Sequence, residues 1–183
     1  SAGMPGNAAR GRVAEQNAQL TDLNANLETK VAAQTQEIRQ ILGQLQVTHE
    51  ELKKSFLTSV RVFANLIELR EGELSGHSRR VAEQARGLAR GLGMSDIDVQ
   101  DVLYAGLLHD IGKIGLADGL INKPYTALSA AERVSVAKHP VTGQAALLAL
   151  EPLNNAALLI RGHHERFDGL GYPDGLAGEK IPL

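Results

Sequence analysis

The sequence predicts an all-α chain in two parts, a long N-terminal coiled-coil helix followed by a helical bundle. Three observations carry that expectation. From about Gly11 to Arg70 there is no proline, and glycine occurs only at Gly11 and Gly43, so little interrupts a helix of that length. Apolar residues in the same stretch recur at alternating steps of three and four. From about Glu71 onward the helix-period patches become short and are separated by glycine, proline and capping residues, with no convincing alternating strand and no internal repeat.

The first ten residues, opening SAGMPG, read as a tag or disordered start and are set apart from the fold. Residues 11–70 read as the coiled-coil helix. One seam series is Asn17, Asn24, Val31, Ile38, Leu45 and Leu52; the other is Val13, Leu20, Leu27, Gln34, Ile41 and Thr48. Eight of these twelve are apolar, and Gln, Glu, Thr and Lys dominate between them. Such a heptad pattern predicts a coiled coil, and Asn17 and Asn24 at its a positions select a parallel dimer in fixed register. A polar helix this long gains too little from propensity alone to stand without a partner. After Leu52 the apolar face moves to Phe56, Val60, Phe63 and Ile67. That step is either a stutter that locally unwinds the supercoil or the helix passing from its partner onto a globular core.

Residues 71–183 read as the bundle. Val81, Ala85, Leu88, Ala89 and Leu92 form one stripe, closed by Gly91 and Gly93. Ser95 caps a helix running through Val99, Val102, Leu103, Gly106 and Leu107. Ser129 begins another that reaches His139 and is stopped by Pro140, and NNAALLIRGHH reads as a further helix ending in paired histidines.

The totals exclude several classes. The formal net charge of −2 gives no global attraction to nucleic acid or an anionic membrane surface. With no cysteine there is no disulfide and no thiolate zinc site, which fits a reducing compartment. No apolar run approaches the roughly 20 residues of a membrane span. The expectation is a cytoplasmic chain that binds neither nucleic acid nor membrane.

Chemistry concentrates in the histidines. Of the six, only His49 lies in the heptad region, at a flanking e position where a solvated side chain explains it. His77, His109, His139, His163 and His164 fall at or near the ends of separate short helices, where side chains converge. The sharpest motif is HDIGKIG, His109 to Gly115. His109 offers a neutral imidazole, and Asp110 a carboxylate whose two oxygens can bridge two cations. Adjacent residues diverge by about 100° on a helix, so both reach one metal only if the helix ends there, an ending assigned to Gly112. Lys113 offers an ammonium suited to a phosphate oxygen. Imidazole and carboxylate ligation without sulfur suits iron, manganese, zinc or nickel. Two such ions would activate water, polarise a phosphoryl group and steady the leaving oxygen, so the reaction class expected is phosphoester hydrolysis.

HDIGKIG, followed by KHP at Lys138–Pro140 and then HHERFDGLGYPDGL, resembles the HD-GYP family, a branch of the HD metal-dependent phosphohydrolases. SGHSRRVA, Ser75 to Ala82, is similar to that family's upstream element, and the resemblance runs from about Leu69 to Leu183. It implies hydrolysis of cyclic di-GMP, or a related cyclic dinucleotide, to linear pGpG or GMP at a centre of two or three divalent ions. Carried over by position, it implies that His109, Asp110, His139, His163 and His164 are metal ligands and that Lys113 contacts phosphate. Glu73 sits where three-metal members have a carboxylate ligand, with His77 beside it; an exposed helix-start glutamate is the other reading of Glu73. Asp168, Gly169, Gly171, Tyr172 and Pro173 fall in the implied substrate loop, where Asp168 and Asp174 read equally as turn residues. A parallel homodimer and an upstream sensory or receiver domain complete the implied partners. The family pattern continues past GEKIPL into a helix carrying a further aspartate ligand, so an incomplete domain of weak activity is expected. Two alternatives stand beside this reading: a catalytically weak regulatory module that binds proteins, and an HD phosphohydrolase acting on another nucleotide.

Overall fold

The computed structural model describes residues 6–70, 72 and 76–182, with side chains from residue 9 onward. Residues 1–5 of the expected tag, and the expected ligand Glu73, lie outside the described residues. Helix α1 spans Gly6–Arg70, and the chain divides into two compact units, Ser1–Lys54 and Ser55–Leu183. Every described side chain of the first unit is exposed, the apolar seam from Val13 to Leu52 included.

In the second unit the end of α1 turns a different face inward. Val60, Ala64, Ile67 and Glu68 are buried, and Phe56 meets the Tyr104 ring edge-on at 5.6 Å. Phe63, expected on this face, is instead exposed. The bundle then consists of α2 (His77–Gly91), α3 (Asp96–Leu108), a 3₁₀ turn (Ile111–Gly115), α4 (Asp118–Ile121), α5 (Ala130–Val136), α6 (His139–Leu147) and α7 (Asn154–Gly162). Among the described residues there is no strand, only an isolated bridge between Asp168 and Ala177. No helix is long and apolar enough to cross a membrane among those residues.

Local chemistry explains most boundaries. The Ser95 hydroxyl accepts from the Asp98 N–H at 3.2 Å, and Ser129 with Glu132 forms a reciprocal capping box. Pro140 does not stop the helix before it. Helix α5 ends at Val136, and Pro140 lies in the first turn of α6, where its missing N–H costs no helical bond. The expected stripe on α2 is also shifted. Leu88 and Leu92 are exposed, while Ser78, Ala82 and Ala89 face inward. These small side chains let α2 approach α3 closely: a Cβ on Gly106 would lie 2.6 Å from the Ala82 Cα. Around this contact Leu103, Leu107, Leu108, Leu153 and Ile160 form the core. Fully burying each such aliphatic side chain stabilises by about 1.5–3 kcal/mol. The core therefore grips α3 and α7 just below the helix ends that carry His109 and His163.

Candidate metal centre

Each histidine of the bundle sits where a helix begins or ends. His77 is the first residue of α2, His139 the first of α6, and His109 and His163 directly follow α3 and α7. The five imidazoles form a contiguous set, with ring centroids 5.5 Å apart for His77–His109, 5.4 Å for His109–His163, 5.1 Å for His139–His163 and 4.1 Å for His163–His164. Among the described residues two groups have ligand atoms mutually within 4.8 Å: His77, His109 and Asp110, and His139, His163 and His164.

Backbone carbonyls fix three of these rings. The Nδ1 atoms of His109, His139 and His163 lie 2.9, 2.8 and 2.6 Å from the carbonyl oxygens of Gly106, Val136 and Ile160. A carbonyl only accepts, so each Nδ1 carries a proton and, in the neutral ring, each Nε2 presents a lone pair. His139 Nε2 and His163 Nε2 then face each other at 3.2 Å. Two lone pairs at that distance repel unless a cation or a proton lies between them or beside them. The donor set therefore fits divalent metal ions, and the pinned second nitrogen is the usual support of a metal-bound histidine.

Asp110 joins the two groups. Its Oδ2 lies 3.1 Å from His109 Nε2 and 2.9 Å from Lys113 Nζ, while Oδ1 lies 3.4 Å from His139 Nε2. Burial alone would raise its pKa, but the His109 hydrogen bond and charge, with Lys113 behind them, hold it far below the usual carboxylate range. Asp110 is thus ionised. The histidines divide. For His109 burial is outweighed by Asp110, and its pKa is raised. For His139, His163 and His164 burial dominates and lowers each to about 4. His139, 1% exposed, stays neutral despite the nearby carboxylate.

Close backbone approach brings the groups together. A Cβ on Gly112 would lie 1.9 Å from the His139 carbonyl oxygen and 2.6 Å from the Gly143 N. Gly112 does not end the helix, as expected from sequence, because α3 has already closed at Leu108. Its lack of a side chain lets the turn carrying Asp110 and Lys113 lie against the start of α6. Gly171 has the same role in the loop, where a Cβ would lie 2.4 Å from the Arg166 N. Tyr172, next to it, stacks on His164 at 4.6 Å. Gly169 adopts φ +76°, a conformation glycine permits. Asp168 pairs with Arg166 and accepts from the Leu170 N–H, and Asp174 receives two bonds from Arg161 at 2.5 and 2.7 Å. Asp168 thus holds the loop's own shape, and Asp174 ties the loop to α7.

Several supporting residues carry no motif signal. Buried Glu68 accepts from the backbone N–H of Gly76 and Ser78 at 2.9 and 2.6 Å, gripping both sides of His77. Arg70 donates to the carbonyls of Ile114 and Leu116 and pairs with Asp118, holding the chain just after Lys113. Glu165 accepts from the N–H groups of Asp174, Gly175 and Leu176. A cleft of about 610 Å³ opens beside the first group, lined by His77, Asp110, Lys113, Asn122 and Lys123.

Comparison with known proteins identifies the family. The family profile described as HD domain matches residues 61–183. A 3'3'-cGAMP-specific phosphodiesterase of Vibrio cholerae is 37% identical over 124 residues, covering 68% of this chain and 27% of the relative. The cyclic di-GMP phosphodiesterase response regulator RpfG of Xanthomonas campestris is 39% identical over 122 residues, covering 66% and 32%. A cyclic di-GMP phosphodiesterase of Thermotoga maritima is 34% identical over 137 residues, covering 71% and 36%. The chain thus spans little more than a third, at most, of these relatives' lengths. With the histidine–aspartate pair and the GYP loop converging on one centre, the chain belongs to the HD-domain family and is of its HD-GYP type.

Proposed function

We propose that the chain carries a metal-dependent phosphodiesterase centre that hydrolyses cyclic di-GMP to pGpG and GMP, in a cytoplasmic signalling protein. The observation that supports this most is the facing Nε2 pair of His139 and His163, with ionised Asp110 reaching towards both histidine groups. His77, His109 and Asp110 would hold one divalent ion; His139, His163, His164 and the second oxygen of Asp110 would hold another. Glu73 is retained as a further candidate ligand. Iron, manganese, zinc and nickel all suit these donors. Bound ions of this kind supply Lewis acidity and activation of water.

The chain's own residues do the remaining work. Asp110 offers one oxygen to each group and keeps its charge across the working pH range. Lys113, held at 2.9 Å by Asp110, places an ammonium on the cleft wall where a phosphate oxygen would dock. Tyr172 stacks on His164, and its loop, with Asp168, Gly169, Gly171 and Pro173, would form the substrate wall on that side. The relatives support a cyclic dinucleotide as substrate, since their names cite both cyclic di-GMP and 3'3'-cGAMP. A parallel dimer through the N-terminal seam, linked to a sensory or receiver domain, is the partner arrangement proposed.

The test is product formation from cyclic di-GMP with Mn²⁺ or Fe²⁺, comparing the wild type with Lys113→Ala. Losing one charge-assisted contact should lower kcat/KM by about 10- to 100-fold. Turnover of 3'3'-cGAMP but not cyclic di-GMP would reassign the substrate. Absence of turnover of either, with every metal tried, would overturn the phosphodiesterase reading.

A further inference from the structure

The last turns of α1 carry two apolar faces, and the bundle covers only one. At about 100° per residue, Val62, Leu66 and Leu69 fall within an arc of roughly 60°, and Val60, Ala64 and Ile67 centre on the opposite side. The second set is buried in the bundle. The first is not: Val62 is 50% exposed, Leu66 53% and Leu69 51%. The uncovered seam positions Val13, Ile38 and Ile41 are exposed to nearly the same degree, at 55%, 57% and 54%. No described residue of the bundle therefore shields Val62, Leu66 or Leu69.

Their spacing identifies what would. Counting in sevens from Leu45 and Leu52 reaches Ser59 and then Leu66; counting from Ile41 and Thr48 reaches Ser55, Val62 and Leu69. The heptad of the N-terminal half thus continues in register to the end of α1. Phe56, Val60 and Ile67 are a second stripe added to the opposite side, and no residue needs to be inserted into the repeat.

We infer that the seam of the parallel dimer runs through to Leu69, so that a second copy of this chain packs along Val62, Leu66 and Leu69. This inference rests on the coiled-coil dimer proposed above. It has a consequence for the metal centre. Leu69 lies between Glu68 and Arg70, which hold the backbone around His77 and the chain after Lys113. The turn of helix that meets the second copy is also the one that positions two sides of the cleft.

The chain has no cysteine, so single-cysteine variants report one position each. Leu66→Cys, Leu69→Cys and Leu27→Cys each replace an exposed side chain and leave the core intact. Arg61→Cys, exposed but off the seam, sets the rate of random collision. Under mild oxidation the three seam variants should form covalent dimers at least about tenfold faster than Arg61→Cys, because only seam positions meet the short Cα separation a disulfide requires. If Leu27→Cys links at that rate while Leu66→Cys and Leu69→Cys match Arg61→Cys, the extension is wrong and the N-terminal dimer stands. If Leu27→Cys also falls to the collision rate, the parallel dimer itself fails and this inference falls with it.

Discussion

His139, His163 and His164 form a group of imidazoles alone, whereas His77 and His109 share theirs with Asp110. The two groups lie side by side, with His109 and His163 5.4 Å apart, yet the pKa of His109 is raised while those of His139, His163 and His164 are lowered. In the first group burial has no adjoining charge strong enough to offset it, and the rings are driven neutral. In the second an ionised carboxylate at 3.1 Å outweighs burial and draws a proton onto His109. One residue type thus acquires two characters from one neighbour. In the metal centre proposed above, the neutral group would offer lone pairs to a cation, while His109 would release a proton as a cation enters.

Asp110→Ala removes the difference at its source and should have the largest effect. Because the carboxylate reaches towards both groups, metal analysis should show the loss of more than one ion equivalent. Turnover should fall by at least about 100-fold, the upper end of what loss of a mere supporting contact costs. Retention of all but one equivalent would show that Asp110 serves a single ion.

Gly112→Ala attacks the spacing between the groups. The new Cβ meets backbone atoms of α6 on two sides, and backbone cannot rotate aside as a side chain can. The turn bearing Asp110 must then withdraw from His139. The expected cost is about 1–3 kcal/mol in a denaturant titration, typical of overpacking, together with weaker metal binding. Unchanged stability would mean that the approach of these segments is looser than described.

Acid titration of the metal-free protein separates His109 from the other three by sign. His139, His163 and His164 have folded values near 4 against an ordinary 6.5. Between those values the unfolded chain takes up protons that the folded chain refuses, so stability is full above 6.5 and is lost as pH falls towards 4. His109 is raised, so its contribution is full below 6.5 and fades as pH rises through its folded value. Thermal melts should therefore fall steeply from pH 6.5 to 4 in the wild type. His163→Gln should flatten that slope, and His109→Gln should not.

Tyr172→Ala should have the smallest effect, confined to the imidazole group. It removes the ring stacked on His164, a contact of about 0.5–1.5 kcal/mol, equivalent to a roughly 2- to 10-fold loss of affinity for one ion. Tyr172→Phe retains the ring and should leave a Mn²⁺ titration unchanged. Equal losses in both variants would assign the effect to the hydroxyl instead.

Much of this protein is determined by local sequence. The all-α class follows from periodicities that act within a few residues, and the caps at Ser95 and Ser129 follow from side chains bonding their own backbone. His109, His139 and His163 lie at helix ends in the sequence pattern and in the structure alike, because proline and glycine bound helices through short-range geometry. Pro140 differs from its sequence expectation for a local reason too, since proline marks a first turn as readily as a last one. The rest needed the tertiary structure. No spacing rule relates Glu68 to the backbone at Gly76 and Ser78, or Arg70 to the Leu116 carbonyl. The value of Gly112 depends on a carbonyl that lies many residues away in sequence. The opposed protonation of the histidines was equally hidden, since it depends on burial and on one carboxylate in space. That α1 carries two apolar faces could be counted from its sequence, but only the packed bundle decided which face it covers and which it leaves exposed.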